Sequence, residues 1–228
     1  EHNVIRLENA DWNDGLDMAA DRGESAAFSF MYAHNLKDMC GFLEALKQTT
    51  NVVTVFKELK ILLDTLAEPV NYKSYKAKQS RLEKYFEKTT DLSGRQVTIK
   101  IDELINDLNQ KALHLFSWLK EKEWRHEGFF NGYYDNKGLR LEGRKGKHVG
   151  MTLTGQVFSI MSGLADQKDI EGILKSVSTY LKDKKWGGLH LNTDFGTDPS
   201  LKLGRAFGFA YGTKENGAFF SHMNVMYA

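Results

Sequence analysis

The sequence predicts a mainly helical protein built from helix pairs that carry long loops on one side. Three observations support this. Long segments place apolar residues three and four apart, the period of one helix face. Only 2 Pro occur in 228 residues, so few points forbid a helix. The 20 Gly are not spread evenly but gather into three polar and aromatic stretches, 11–23, 128–155 and 187–217. Rigid helices separated by such loops are a scaffold for a site, because loops on a rigid frame commonly carry function.

Taken in order, Ser25 is placed to cap a helix over 26–47, whose apolar positions include Phe28, Met31, Tyr32, Met39, Phe42, Leu43 and Leu46. A second helix is expected over 52–67, with Val55, Leu59, Leu62, Leu63 and Leu66 facing inward, ended by Pro69. A third, over 72–88, is highly charged and reads as a solvated outer helix anchored by Tyr75, Leu82, Tyr85 and Phe86. A fourth is expected over 95–121. Residues 124–150 change character: Phe129, Phe130, Tyr133 and Tyr134 precede Asp135-Asn136-Lys137-Gly138, a turn signal, so a short β-hairpin is expected there. Helices over 152–164 and 168–182 form another pair with Asp166-Gln167 at the joint. Residues 186–209 show no periodicity, and 219–228 open a last helix or strand. Helix pairs joined by long loops are what a toroid of helical hairpins needs, and no domain boundary interrupts residues 1–228.

Composition narrows the function. Lys and Arg number 31 against 30 Asp and Glu, a net charge of +1, which makes no electrostatic case for nucleic acid or an anionic membrane. Apolar runs such as Ile61-Leu62-Leu63 are too short to cross a bilayer. The opening residues carry no signal-peptide pattern, and the single Cys40 suits a reducing compartment, so a cytoplasmic protein is expected. One Cys and scattered His give no zinc cluster, and no metal is assigned. Both nucleotide-type Gly-rich loops are absent.

Three constellations bear chemistry. The first holds Asp11, Trp12, Asp14, Asp17, Asp21 and Glu24. Carboxylates before a helix act as caps, which accounts for Asp21 and Glu24. It does not account for Trp12 in a polar loop; an indole beside carboxylates stacks on sugar C–H faces while the carboxylates take hydroxyls. A calcium loop is not favoured, because Arg22 stands where the twelfth-position Glu belongs. The second is the Tyr133 hairpin, readable also as structural aromatics. The third, Thr213-Lys214-Glu215-Asn216-Gly217-Ala218-Phe219-Phe220-Ser221-His222, has the groups for an oxyanion or phosphate pocket and is equally readable as a solvated turn before a core segment.

Together these segments resemble the glycoside hydrolase family 94 phosphorylases, which include cellobiose and chitobiose phosphorylases. Four stretches carry the resemblance: Ala10-Asp11-Trp12-Asn13-Asp14-Gly15-Leu16 with Arg22-Gly23-Glu24-Ser25; Gly132-Tyr133-Tyr134-Asp135-Asn136-x-Gly138; Leu153-Thr154-Gly155-Gln156-Val157-Phe158 and onward to Ala165; and Lys214-Glu215-Asn216-Gly217-Ala218-Phe219-Phe220-Ser221-His222. The wording around the first motif is similar to the 1,2-β-oligoglucan phosphorylase branch.

The resemblance implies part of an (α/α)6 barrel, its C-terminal half, as a single catalytic domain that is a homodimer at full length. It implies inverting phosphorolysis of β-linked gluco-oligosaccharides, with inorganic phosphate as co-substrate and no cofactor. Phosphate is itself the nucleophile, so one protein carboxyl suffices, whereas an inverting hydrolase needs two. Asp14 is implied as the proton donor, protonated at the start of the cycle. Asp11, Trp12, Tyr133, Gln156 and Glu215 are implied as sugar-subsite residues, and Ser221 and His222 as phosphate contacts. The family's phosphate-binding Arg belongs to a segment upstream of this chain. Two rivals stand beside this reading: an inverting hydrolase, with Asp135, Glu142 or Glu215 facing Asp14, and an inactive carbohydrate-binding fragment.

Overall fold

The computed structural model describes residues 1–6, 14–196 and 203–228. In chain order these form β1 (Ile5–Arg6), β2 (Glu24–Ser25), α1 (Ala26–Leu46), β3 (Val52–Phe56), two 3-10 turns (Lys57–Leu62 and Asp64–Leu66) and α2 (Tyr75–Thr89). There follow β4 (Gln96–Lys100), α3 (Ile101–Glu123), β5 (Tyr133–Tyr134), β6 (Gly143–Lys145), β7 (His148–Gly150), α4 (Leu153–Met161), α5 (Gln167–Tyr180), a 3-10 turn at Arg205–Gly208 and α6 (Ser221–Tyr227). The fold is mainly α, as expected.

Helix starts follow local chemistry. Ser25 Oγ accepts from Phe28 N at 3.1 Å, the cap expected for α1. Ser74 caps α2 by accepting from Ala77 N. Asp166 opens α5 with a reciprocal capping box to Asp169.

One expected helix, over 52–67, is instead a strand followed by two 3-10 turns, and the one expected over 95–121 starts later, at Ile101. Residues 52–56 are strand β3 rather than the start of a helix, and 96–100 are strand β4 rather than the first turns of α3. Val52-Val53-Thr54-Val55-Phe56 and Gln96-Val97-Thr98-Ile99-Lys100 are rich in β-branched residues, which fit a pleated surface better than a helix turn. They pair antiparallel from Val52 opposite Lys100 to Phe56 opposite Gln96. The Leu-rich continuation that imitated helical spacing is the 3-10 turn Lys57–Leu62.

The chain divides into two compact units, Tyr32–Ser117 and the combination of Glu1–Met31 with Trp118–Ala228. In the first, the β3–β4 ribbon and α2 accompany a buried ion cluster: Lys111 Nζ reaches Asp64 Oδ1 at 2.7 Å and also pairs with Asp107, while Tyr72 donates to Asp64 at 2.9 Å. Burial and the adjacent Asp64 raise the Tyr72 hydroxyl well above its ordinary range.

The second unit holds every described candidate residue. Strands β1, β2 and β5 form an antiparallel sheet with β2 in the centre. Its core packs Phe30 against Phe130 and Trp124 against Phe130, with ring centroids 5.5 and 4.8 Å apart, around buried Met151, Leu153, Val157, Ile173 and Leu181. No helix among the described residues is long and apolar enough to cross a membrane.

Candidate functional site

Asp14 opens the described part of the acidic loop, and three devices fix it. An apolar cluster of Leu16, Ala19, Tyr133, Leu141, Leu203 and Phe207 lies beneath the loop. The hairpin holds its far end, because Asn136 Oδ1 accepts from Arg22 N at 2.7 Å and Asp21 N at 3.1 Å. The segment 203–206 lies along its near end: Met18 N donates to Leu203 O at 2.8 Å, and Ala206 N donates to Asp14 O at 2.9 Å. Gly204 permits this approach, since a Cβ there would stand 2.1 Å from Asp14 O.

That docking delivers Arg205. Its Nη2 lies 2.6 Å from Asp14 Oδ1 and its Nη1 lies 3.2 Å from Asp17 Oδ2, while its backbone N–H donates to Asp17 Oδ1 at 2.9 Å. The Asp17 side chain is 8% exposed, Asp14 33% and Arg205 56%, so the bridge has a buried end and an open end. Asp14 is at the open end.

The other carboxylates of the region are committed to the fold. Asp135 Oδ1 accepts from Lys137 N and Leu139 N at 2.9 and 2.8 Å, closing the hairpin turn. Glu142 is 2% exposed; its carboxylate accepts from Gly132 N, from Thr152 N at 2.6 Å and from Thr152 Oγ1 at 2.8 Å. Burial pushes its carboxyl up to about 7 against the opposing effect of those donors. Glu142 thereby joins the hairpin to the start of α4.

A second buried polar residue continues the chain of connections. Asn192 Nδ2 donates to Asn216 Oδ1 at 3.0 Å, Asn192 Oδ1 accepts from Gly217 N at 2.9 Å, and Asn216 Nδ2 donates to Phe209 O at 2.7 Å. Residues 151–153 bond to 191–193, and Leu191 N donates to Ala218 O. The Gly132, Leu153 and Asn216 motifs, far apart in sequence, are thus laced together by buried amides and one carboxylate.

The candidate residues divide accordingly. Asp11 and Trp12 lie outside the described residues. Tyr133 is buried in the apolar cluster under the loop, and desolvation raises its hydroxyl strongly. Gln156 is fully buried, with Oε1 accepting from Phe130 N at 2.9 Å and Nε2 donating to Phe130 O at 2.8 Å, so its amide holds backbone. Glu215 is half-buried beside the buried Asn216. Ser221 and His222 are exposed on the first turn of α6, with the His222 ring 4.7 Å from that of Phe220. α6 is fixed through Asn224, which accepts from Leu189 N at 2.9 Å and donates to Leu189 O at 3.1 Å. Among the described residues, no group of three or more His, Cys, Asp or Glu is placed to hold a metal ion.

Sequence reasoning missed Arg205 and Asn192. Both lie in the aperiodic stretch 186–209; the one local signal was a glycine immediately before an arginine, Gly204-Arg205.

Residues 87–228 match the model of the glycosyl hydrolase 94 superfamily, catalytic domain. The chain belongs to this family, and with it to the carbohydrate-active enzymes that cleave glycosides by phosphorolysis or hydrolysis. Comparison with curated proteins gives no match. The matched residues include the hairpin, α4, Arg205 and the Glu215-Asn216-Gly217 turn; Asp14 lies N-terminal to them.

Proposed function

We propose that the protein catalyses inverting phosphorolysis of β-linked gluco-oligosaccharides, giving α-glucose 1-phosphate and a shortened sugar, with Asp14 as the proton donor. One observation carries this reading: among the described residues, the partly exposed Asp14 carboxylate meets Arg205 rather than backbone amides, whereas those of Asp135 and Glu142 accept from backbone amides. Phosphorolysis needs one such group. Hydrolysis with inversion needs a second to activate water, and two of the three residues named for that role are engaged in holding loops.

In the proposed reaction, a phosphate oxygen attacks C1 from the face opposite the leaving group. The C1–O bond breaks with its electron pair going to the glycosidic oxygen, which takes the Asp14 proton. Asp11, Trp12 and Glu215 contact the sugar; Ser221 and His222 contact phosphate. Tyr133 and Gln156 act beneath these groups, holding the loop and the Phe130 backbone. The helices belong to an (α/α)6 barrel in this reading, and the lone thiol Cys40 fits work in the reducing cytoplasm.

The test is phosphate dependence with β-1,2- and β-1,4-gluco-oligosaccharides. Glucose 1-phosphate formed only when phosphate is present supports the proposal. Free glucose released without phosphate contradicts it and favours hydrolysis, and no turnover under either condition favours an inactive fragment.

A further inference from the structure

A carboxylate held against a guanidinium has no proton to give, yet the donor in a glycosidic cleavage must begin protonated. The geometry around Arg205 supplies a way out. Its backbone is fixed by the Asp17 Oδ1 bond and by Ala206 N on Asp14 O, and its Nη1 is held at the buried end by Asp17. The edge carrying Nη2 is directed to Asp14 at the open end, where more than half of the Arg205 side chain is accessible. A guanidinium so placed can take an anion without moving its main chain.

We propose that Arg205 is a phosphate-binding residue that exchanges partners: it holds the Asp14 carboxylate in the substrate-free enzyme and passes to phosphate when phosphate enters. The inference rests on the phosphorolysis reading with Asp14 as acid. A phosphate dianion carries more charge than a carboxylate, so it competes well for Nη2 of Arg205 while Asp17 keeps Nη1. Once released, Asp14 takes a proton from solvent and becomes the acid. The glycosidic bond then breaks with its electron pair and the Asp14 proton going to the leaving oxygen, while a phosphate oxygen lone pair forms the new C1–O bond. Asp14 is left as carboxylate, and Arg205 recaptures it as the sugar phosphate departs. Among the described residues, the titratable group in contact with the pair is Asp17, on the same loop.

The experiment is the pH profile of phosphorolysis at subsaturating and saturating phosphate for the wild type, Arg205→Gln and Arg205→Lys, with melting curves to verify folding. In the wild type, saturating phosphate should move the alkaline limb up by about one pH unit, a tenfold change in the proton equilibrium. In Arg205→Gln the limb should stay fixed and the KM for phosphate should rise roughly tenfold, the loss of a charge-assisted contact. Arg205→Lys, which keeps the cation without the fork, should lie between and covers the case in which the Gln variant does not fold. A wild-type limb insensitive to phosphate, or an Arg205→Gln enzyme with the wild-type phosphate KM, would overturn the exchange while leaving phosphorolysis standing. Absence of glucose 1-phosphate from the wild type would overturn both.

Discussion

Arg205 Nη2 lies 2.6 Å from Asp14 Oδ1, a pairing of two residues 191 positions apart. It gives the acidic loop its chemical orientation, and everything that brings residues 203–206 to the loop stands behind it.

Gly204 is the tightest of these supports. Its φ of −165° is extended and open to any residue, so the requirement is for space: a Cβ would stand 2.1 Å from Asp14 O and 2.5 Å from Gly15 C, both backbone. Gly204→Ala should therefore push the segment off the loop, lowering stability by roughly 1–3 kcal/mol and reducing turnover by more than the melting shift explains. Thermal melts and kcat on the same preparation test this; an unchanged Tm and kcat would mean that the contact does not position Asp14.

Asn192 and Asn216 form the second support. Removing the Asn192 amide leaves Gly217 N–H and Asn216 Oδ1 buried without that partner. Asn192→Ala should cost about 1–3 kcal/mol, the penalty for unsatisfied buried polar groups. Asn216→Ala should cost a similar amount, and the double variant less than the sum, because the two share a bond. Chemical denaturation of the four proteins measures the coupling; strict additivity would contradict a shared network.

Glu142 sets a pH dependence of definite sign. Burial raises its carboxyl from an ordinary 4.5 to about 7. The folded protein therefore keeps this proton to higher pH than the unfolded chain, and its contribution to stability is lost as pH rises from about 4.5 to about 7. The size is on the order of 3 kcal/mol. Glu123, also raised chiefly by burial, acts in the same direction. Glu142→Gln should flatten most of this slope. It should also destabilise the protein at low pH, because an amide cannot accept from Gly132 N and Thr152 N with both of its terminal atoms. Tm measured across that window tests both statements, and a slope unaltered by the substitution would refute the assignment to Glu142.

Much of the scaffold was legible because its signals are local. Ser25 before an apolar-periodic run, the single turn from Asp135 to Gly138, and Asp166-Gln167 at the joint before α5 each act within a few residues, and each is found where expected. The β3–β4 ribbon was not legible, because Val55 and the following leucines also fit helical spacing, and only pairing with Gln96–Lys100 settles the period. The architecture of the site was hidden for a related reason. Arg205 has no local pattern, and its meaning comes from Asp14 and Asp17 at the other end of the chain. Gln156 shows the converse: a polar residue in a recognisable motif whose amide is bound entirely to backbone.

The most direct test of the account is Asp14→Asn, which keeps the shape of the side chain and removes the proton. With oligosaccharide and phosphate, the account predicts that glucose 1-phosphate formation falls by at least about a hundredfold, the usual worth of general acid catalysis, while the oligosaccharide still binds. An Asp14→Asn enzyme that forms glucose 1-phosphate at the wild-type rate would contradict it.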